Sequence, residues 1–348
     1  MNRAIIDEKL NRIANLLGLT RKQVGFTILA IIVILALGII YSTTFTAPDG
    51  NATQENFTVG TNDDSREVAN NLEEQGFVKS SLAFRIAFSG PSGAISKCVD
   101  CIQSGVYRIS KSMNAWDIAS ILKKEPNMRW VTIPEGLRKE EIADILAGTF
   151  KWSGDDKQKW ITTYTAMKYD YIEGVYFPDT YLIPIDETPL EMADRLRAHF
   201  EEKFAPYAKE SLNQNIKWAT ALTLASIVQR EAAGKDDMPL IAGVLWNRLL
   251  KGQKLEVDAT VQYARGKTDI GWWAPIKPAD KQIESPYNTY INKGLPPHPI
   301  SNPGVAAINA VLNSTETKCL FYLHDNSGGI HCSETYEEHL GNIETYLK

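Results

Sequence analysis

The sequence predicts an α+β protein attached to a single N-terminal transmembrane helix. Three features lead to this fold class: a long uncharged apolar run near the N-terminus, short strand-like segments that lead into amphipathic helices, and a later half that mixes apolar helices with a strand hairpin. From these features we expect five segments in chain order: a tail over 1–22, a transmembrane helix over 23–42, a linker over 43–54, a small α+β module over 55–148 and a mixed α+β domain over 149–348.

Composition narrows the range of functions. The 348 residues suffice for two domains, and 44% hydrophobic with 23% charged residues is ordinary for a globular protein. The formal net charge of −5, without a basic run outside the extreme N-terminus, argues against nucleic acid as the main partner. The sequence has no P-loop, no dinucleotide fingerprint and no His-Glu-x-x-His motif, and its five histidines are scattered. We therefore expect neither a cofactor nor a dedicated metal site.

The apolar run is long enough to cross a bilayer. No charged side chain occurs from Gln23 to Pro48, and the 18 residues of 24–41 would span about 27 Å as a helix. A cleaved signal peptide is the alternative, but no small-x-small cleavage site follows the run. Five basic residues precede it, and the next one is Arg66. The positive-inside rule predicts a single-pass protein of the cell (inner) membrane, with a cytoplasmic tail and the remainder outside.

Residues 55–148 repeat one pattern loosely, in which a short strand leads through a polar turn into an amphipathic helix. The three strand and helix pairs are expected at 57–59 with 63–75, at 105–109 with 112–124, and at 130–136 with 138–147. No period is strict enough for a solenoid. We therefore predict a small α+β module.

A helix is predicted over 216–234, with Gly234 at its end. Leu224, Ile227 and Val228 lie seven, four and three positions before Glu231, which places this acid on the apolar face. A carboxyl group that is buried there tends to keep its proton, as a general acid for glycosidic-bond cleavage must. A capping residue or one half of a structural ion pair is the alternative interpretation of Glu231.

The remainder of the second half contains four recognisable segments. A helix is expected over 239–251, ended by Gly252. The proline-rich stretch 294–304 cannot form a regular element and should be a stiff extended wall, which suits a sugar polymer. A hairpin is expected about 325–329. Cys319 and Cys332 could then form a cross-strand disulfide, and Cys98 with Cys101 a short-loop disulfide.

The segment Ala225-Ser-Ile-Val-Gln-Arg-Glu231 resembles the signature Ala-Ser-Ile-Val/Ile-x-x-Glu of the endolytic murein transglycosylase family, MltG or YceG-like. In that family the final Glu is the catalytic acid/base, which corresponds to Glu231. Further matches follow the family order over roughly residues 24–346, at 171–181, 247–249, 255–266, 287–297 and 322–339. The sequence departs from the family pattern at Ala259, where a proline is usual, and at Cys332, where an aromatic residue is usual.

The resemblance implies a membrane-anchored lytic transglycosylase with a LysM-like module at 55–148 and a YceG-like catalytic domain at 149–348. Such an enzyme cleaves the bond between N-acetylmuramic acid (MurNAc) and N-acetylglucosamine (GlcNAc) in nascent peptidoglycan strands. Glu231 would act first as acid and then as base to leave 1,6-anhydroMurNAc ends. The resemblance further implies that cleavage terminates glycan elongation and that cell-wall elongation synthases are partners. A hydrolase that uses Glu173 or Asp258 as second carboxylate, and a non-catalytic peptidoglycan-binding scaffold, remain alternatives.

Nine polar residues in the matching motifs are candidates for substrate binding: Glu173, Asn247, Arg248, Asp258, Gln262, Tyr287, Asn288, Tyr290 and His331. Three of these have structural roles as alternatives. Glu173 could make turn hydrogen bonds beside Gly174, Arg248 could brace the fold through an ion pair, and His331 could be a structural histidine.

Overall fold

The structure is a computed structural model that describes residues 20–90, 102–164 and 173–348, with isolated positions 12 and 18. The chain divides into two compact units, Met1–Trp130 and Val131–Lys348. This division falls inside a strand, whereas the expected module boundary lay between residues 148 and 149. Cys98 and Cys101 lie outside the described residues, so their expected disulfide stays a prediction.

The first element that the structure describes in the first unit is helix α1, Arg21–Thr44. Thr20 caps it, because its side chain accepts a hydrogen bond from the Gln23 N–H at 3.4 Å. Within the described part of the chain, the 23 residues of Lys22–Thr44 form the one helix long and apolar enough to cross a membrane. This helix fits a single-pass membrane anchor.

Beyond α1, the described residues of the first unit form three strands and three helices: β1 Gln54–Val59, α2 Ser65–Glu74, α3 Ser81–Ser89, β2 Gly105–Ser110, α4 Ala115–Leu122 and β3 Met128–Thr132. β1 and β2 pair antiparallel along their whole length, from Gln54 opposite Ser110 to Val59 opposite Gly105. Gly105 has φ 149°, and a Cβ there would lie 2.1 Å from the Met128 carbonyl oxygen, so only glycine fits where β2 meets β3.

The expected strand and helix pairs are confirmed in the first unit by β1 with α2 and β2 with α4. The third pair also forms, as β3 with a helix of the second unit, α5 Lys139–Phe150. Helix α3 was not predicted from the sequence. A LysM-like character of this region stays a prediction.

The second unit continues, after α5, with a mixture of helices and short strands: α6 Gly154–Thr162, β4 Thr180–Pro184, α7 Pro189–Asn213, α8 Trp218–Glu231, α9 Met238–Leu250, α10 Asp258–Arg265, a 3-10 turn Pro278–Gln282, α11 Val305–Leu312, β5 Phe321–His324, β6 Ile330–Ser333 and α12 Tyr336–Tyr346. Strands β1 to β4 are antiparallel in the order β1-β2-β3-β4, and β5 pairs with β6 as a hairpin. The mixed α+β class is therefore confirmed.

Helix α8 is the centre of the second unit. It packs against α7, α9, α10 and α11, and its residues 221–228 are all buried. Beside it, Gly243 in α9 lets a neighbouring loop approach, since a Cβ there would lie 2.3 Å from the Thr315 carbonyl oxygen. The apolar face of α8 thus carries Glu231 into a packed environment.

The expected end of α8 at Gly234 is wrong. The helix ends at Glu231, and Ala232 is already extended, with φ −72° and ψ 139°. The physical reason is Asp237, whose carboxylate accepts the Ala233 N–H at 2.9 Å and the Gly234 N–H at 3.2 Å and so holds the chain in a turn. The expected helix before Gly252, the absence of regular structure over 294–304, and the hairpin at 325–329 are confirmed.

Candidate active site

The Glu231 carboxyl group lies at the C-terminal end of α8, half-buried. The Tyr322 hydroxyl, on strand β5, donates a hydrogen bond of 2.8 Å to its Oε2. The Ala259 backbone N–H, in the first turn of α10, lies near this carboxyl group and lowers its pKa by favouring the charged form. One acid therefore lies between the end of one helix, the start of another and a strand of the hairpin.

Burial raises the pKa of Glu231 above its ordinary value, and the nearby Asp258 charge raises it further. The Tyr322 hydroxyl, the Ala259 N–H and His324 act in the opposite direction, because each favours the charged form. The partial negative charge at the C-terminal end of α8 also favours the protonated form. The net result is an acid that keeps its proton to higher pH than a solvated glutamate.

Asp258 and Tyr290 form the second polar pair of the site. The Tyr290 hydroxyl donates to Asp258 Oδ1 at 2.6 Å. Burial raises the pKa of Tyr290, and the carboxylates of Asp258 and Glu231 raise it too, so the phenol stays protonated and can donate. Two of the sequence candidates therefore do lie beside Glu231.

The turn that begins α10 fixes the Ala259 N–H. Glu256 adopts the left-handed conformation, with φ 51°, and its N–H donates to the Thr289 carbonyl oxygen at 3.2 Å. The Val257 N–H donates to Thr289 Oγ1 at 3.0 Å. Such a strained non-glycine residue persists because the buried contacts around it hold the turn.

Tyr322, His324 and Asp237 were missing from the sequence candidates. His324 Nε2 lies 2.6 Å from Asp237 Oδ2, and its ring meets the Tyr322 ring edge-on with centroids 6.3 Å apart. Tyr322 and His324 are two residues apart on a strand, so they share one face. The spacing of Tyr322 and His324, two residues apart in a hairpin segment that matches the family pattern, could have indicated that both side chains face the site.

The hairpin that carries Tyr322 is closed by a disulfide between Cys319 and Cys332, which confirms the expected cross-strand bond. In the β5–β6 register, Tyr322 lies opposite Cys332. The covalent bond therefore lies next to the residue that contacts Glu231.

The side chains of Asn247 and Arg248 donate hydrogen bonds to backbone carbonyl groups, most of them in the segment that leads into β5. Asn247 Nδ2 donates to Thr317 O at 2.7 Å and to Cys319 O at 3.1 Å. Arg248 donates from Nε to Leu320 O at 2.6 Å and from Nη1 to Leu255 O at 2.5 Å. Both side chains thus hold the start of the strand that presents Tyr322.

Three further candidates make internal contacts near α10. Asn288 is buried and donates to Lys281 O at 3.1 Å and to Ile283 O at 2.9 Å. Gln262 donates to Trp273 O at 3.3 Å. The Tyr287 ring lies against Tyr263, with centroids 4.8 Å apart.

Glu173 is fully buried in a separate polar cluster. It accepts hydrogen bonds of 2.8 Å from the Lys139 N–H and from Asn302 Nδ2, and Tyr263 OH lies at 3.5 Å. Burial raises its pKa well above the ordinary value, and the Glu140 charge adds to this, while Arg138 and Lys139 oppose it. These contacts join Glu173 to three segments that are distant from it in the sequence.

His331 lies on β6, away from the Glu231 contacts that the structure describes. Its Nε2 lies 2.8 Å from Asp325 Oδ2, and its ring stacks on Tyr346 with centroids 3.5 Å apart. A role for His331 or Glu173 in substrate binding stays a prediction.

A cation–π pair that was not predicted from the sequence lies beside Glu231. The Arg230 guanidinium sits 3.9 Å from the Trp273 ring centroid, and the Trp273 indole donates to Glu141 Oε2 at 2.8 Å. Burial lowers the pKa of Arg230, although Glu141 and Glu231 favour its charged form. Over the described ranges, no cluster of three or more His, Cys, Asp or Glu residues could hold a metal ion.

A half-buried acid with a raised pKa that accepts a hydrogen bond from a phenol is compatible with general acid–base chemistry. The sequence profile of the YceG-like family matches residues 57–345, most of the chain. The chain therefore belongs to the YceG-like family.

Two similar proteins and one crystal structure agree with this family membership. The chain is 29% identical over 317 residues to an endolytic murein transglycosylase of Streptococcus pneumoniae, covering 81% of this chain and 56% of that protein. It is 29% identical over 309 residues to one of Bacillus subtilis, covering 80% and 81%. The chain thus spans little more than half of the pneumococcal relative. A crystal structure of a putative YceG-like protein from Listeria monocytogenes has the same fold, with TM-score 0.55, 24% identity, and 84% and 99% coverage.

Proposed function

We propose that this chain is a peptidoglycan lytic transglycosylase that cleaves MurNAc–GlcNAc bonds within glycan strands and leaves 1,6-anhydroMurNAc ends. The observation that carries the proposal is the half-buried Glu231 carboxyl group, with its raised pKa, at the end of an apolar helix. The names of the pneumococcal and Bacillus relatives supply the substrate class.

In the proposed reaction, protonated Glu231 gives its proton to the glycosidic oxygen as the bond from that oxygen to the muramic acid C1 breaks. The carboxylate then takes the proton of the muramic acid C6 hydroxyl, whose oxygen bonds to C1 and closes the 1,6-anhydro ring. Glu231 ends the cycle protonated, and no water is consumed. One residue serves both steps, so the site needs a single acid whose two protonation states are both accessible.

The neighbours of Glu231 have distinct roles in this proposal. Tyr322 and the Ala259 N–H stabilise the carboxylate that forms after the first proton transfer, since Tyr322 donates a hydrogen bond to it and both favour the charged form. Asp258 with Tyr290, together with Gln262 and Tyr287, offer contacts to sugar hydroxyls and ring faces. Asn247, Arg248 and Asn288 act indirectly, through the loops that their side chains hold.

The location of the reaction is part of the proposal. The positive-inside rule favours a cytoplasmic N-terminal tail, with the part of the first unit that follows α1 and the second unit on the far side of the membrane. At the outer face of the cell (inner) membrane, the substrate is nascent glycan. Cleavage there terminates strand elongation, and elongation synthases are the expected partners.

The test is mass spectrometry of purified peptidoglycan digested with the full-length chain in detergent, beside its Glu231→Gln and Glu173→Gln variants. We expect anhydro-muramic ends from the wild-type chain and from Glu173→Gln. We expect at least about a hundredfold loss in Glu231→Gln, the usual contribution of a general acid. Circular dichroism should show that both variants are folded.

Two other outcomes would replace the proposal. Reducing muramic acid ends would indicate a hydrolase, with Asp258 as the second carboxylate, because its charge is close enough to raise the pKa of Glu231. Intact glycan with all three proteins would indicate a peptidoglycan-binding scaffold. Unchanged product from Glu231→Gln would remove this residue from the mechanism.

A further inference from the structure

Aromatic rings join the end of α1 to the rest of the first unit. Tyr41 stacks on Phe45 with centroids 5.6 Å apart, and Phe45 stacks on Trp116 of α4 at 5.9 Å. Phe45 also packs against the hydrophobic core of this unit. The helix therefore runs into the unit without a freely hinged joint.

Polar contacts hold the same joint over residues 43–54, the segment expected to be a linker. Lys79 donates to Thr46 Oγ1 at 2.8 Å and to Ser42 O at 3.3 Å. Ala115 N–H donates to Phe45 O, and Asp49 N–H donates to Lys111 O, each at 3.0 Å. These bonds fix the first unit directly at the end of the membrane helix.

The length of α1 places this joint at a membrane interface. At 1.5 Å per residue, the 23 residues of Lys22–Thr44 cover about 34 Å, slightly more than a hydrocarbon core of about 30 Å. If Lys22 lies at one interface, the last turn of α1 lies at the other. The stacked rings of Tyr41, Phe45 and Trp116 then fall at the headgroup level, where tyrosine and tryptophan are enriched in membrane proteins.

Two exposed apolar side chains lie on the elements next to this joint. Among the described residues of the first unit outside α1, the exposed large apolar side chains are Leu82, at 57%, and Trp116, at 44%. Leu82 follows Lys79 by three residues, and α3, which carries it, packs against α4, which carries Trp116. Both therefore extend from the contacts that hold the end of α1.

We propose that Leu82 and Trp116 form a bilayer-docking surface, which holds the first unit against the headgroup region of the membrane that α1 enters. The occupant is the lipid surface because the two side chains continue from a membrane helix whose length sets the interface at this level. The apolar Leu82 and the amphipathic Trp116 ring match the chemistry of the boundary between headgroups and acyl chains. This proposal depends on α1 as a membrane helix and does not depend on the proposed enzymatic activity.

The test uses the full chain in phosphatidylethanolamine and phosphatidylglycerol vesicles that contain lipids brominated near the headgroup or near the bilayer centre. The chain has eight tryptophans, so the emission of Trp116 is obtained as wild type minus Trp116→Phe. We expect headgroup-proximal bromine to reduce this difference about twofold or more, and central bromine to reduce it much less. The difference for Trp160→Phe, a fully buried tryptophan, should be insensitive to either lipid.

A second position makes the result independent of one ring. Leu82→Trp in the Trp116→Phe background should show the same preference for headgroup-proximal bromine. Absence of quenching at both positions would overturn the proposal and indicate that water or a protein covers this face. Stronger quenching by central bromine would overturn the interfacial placement, and quenching at position 116 alone would exclude Leu82 from the surface.

Discussion

At the residue scale, several neighbours act on the pKa of Glu231 in opposite directions. Burial and Asp258 raise the pKa, whereas Tyr322, the Ala259 N–H and His324 lower it. A residue that must donate a proton and then accept one needs such opposing influences, because a strongly shifted pKa would favour only one of the two steps.

Tyr322→Phe removes a hydrogen bond that favours the carboxylate, so the pKa of Glu231 should rise. Because the proposed reaction begins with protonated Glu231, the alkaline limb of the kcat/KM profile should move to higher pH. The rate itself should fall about tenfold, since a hydrogen bond to a charged group contributes about 1.5 kcal/mol or more. The measurement is the pH profile of anhydro-muramic product formation.

Asp258→Asn should move the alkaline limb of the kcat/KM profile to lower pH. The variant keeps the side-chain shape and removes a negative charge that raises the pKa of Glu231, so activity should be lost at lower pH than in the wild type. The two variants control for each other, because a general disturbance of the site would not shift the pH profile in opposite directions. Shifts of the same sign would contradict this account of the site.

At the element scale, Gly243 decides how closely α9 approaches the loop at Thr315. Gly243→Ala would place a methyl group 2.3 Å from a backbone carbonyl oxygen, so the backbone itself would have to shift. We expect a loss of about 1–3 kcal/mol in the free energy of unfolding, the usual cost of overpacking. Chemical denaturation of the full chain in detergent measures this loss.

The matched control is Gly148→Ala in α5, where nothing lies within 4 Å of the added methyl group. Alanine is a better helix former there, so the free energy of unfolding should rise by about 0.5–1 kcal/mol. Equal effects of the two substitutions would show that the contact at Thr315 does not limit the packing of α9.

Elements with strong local signals could be predicted from the sequence. Regular apolar spacing indicated α8, and strand runs followed by amphipathic stretches indicated β1 with α2 and β2 with α4. Helix α3 was missed because its nine residues carry apolar side chains on most of its surface. The end of α8 was misplaced because a carboxylate beyond the helix, Asp237, competes for the backbone N–H groups.

The site was harder to predict than its elements. Glu231 could be found because its own helix places it on an apolar face. Tyr322 could not be paired with it, since 91 residues separate the two and only the packing of β5 brings them together. Asn247 and Arg248 illustrate the same limit, because a motif identifies a polar residue but not the carbonyl groups that occupy its donors.

At the scale of the whole molecule, the fully buried Glu173 and the half-buried Glu231 link stability to pH. The pKa of each is raised in the folded chain, so the folded state holds protons that the unfolded state releases as pH rises above about 4.5. Each acid therefore lowers the free energy of unfolding as pH rises from there towards its folded-state pKa. The lowered pKa values of Asp179, Asp280 and Asp325 act below this range and in the opposite direction.

Glu173→Gln should flatten this pH dependence. The stability of the variant relative to wild type should increase with pH above about 4.5, by at most about 1.4 kcal/mol per pH unit for one proton. Urea unfolding of the full chain in detergent, measured at several pH values, gives the slope. A constant offset between the two curves would show that Glu173 does not titrate differently in the folded and unfolded chains.

The disulfide between Cys319 and Cys332 has a consequence for biogenesis. On the proposed orientation, this hairpin leaves the ribosome after most elements of the second unit and enters an oxidising compartment only after translocation. The thiols are reduced until then, and Tyr322 lies on a hairpin without its covalent closure. Secretion, oxidation and maturation of the proposed site would therefore follow in sequence, so that a chain retained in the cytoplasm would carry Glu231 without a locked partner.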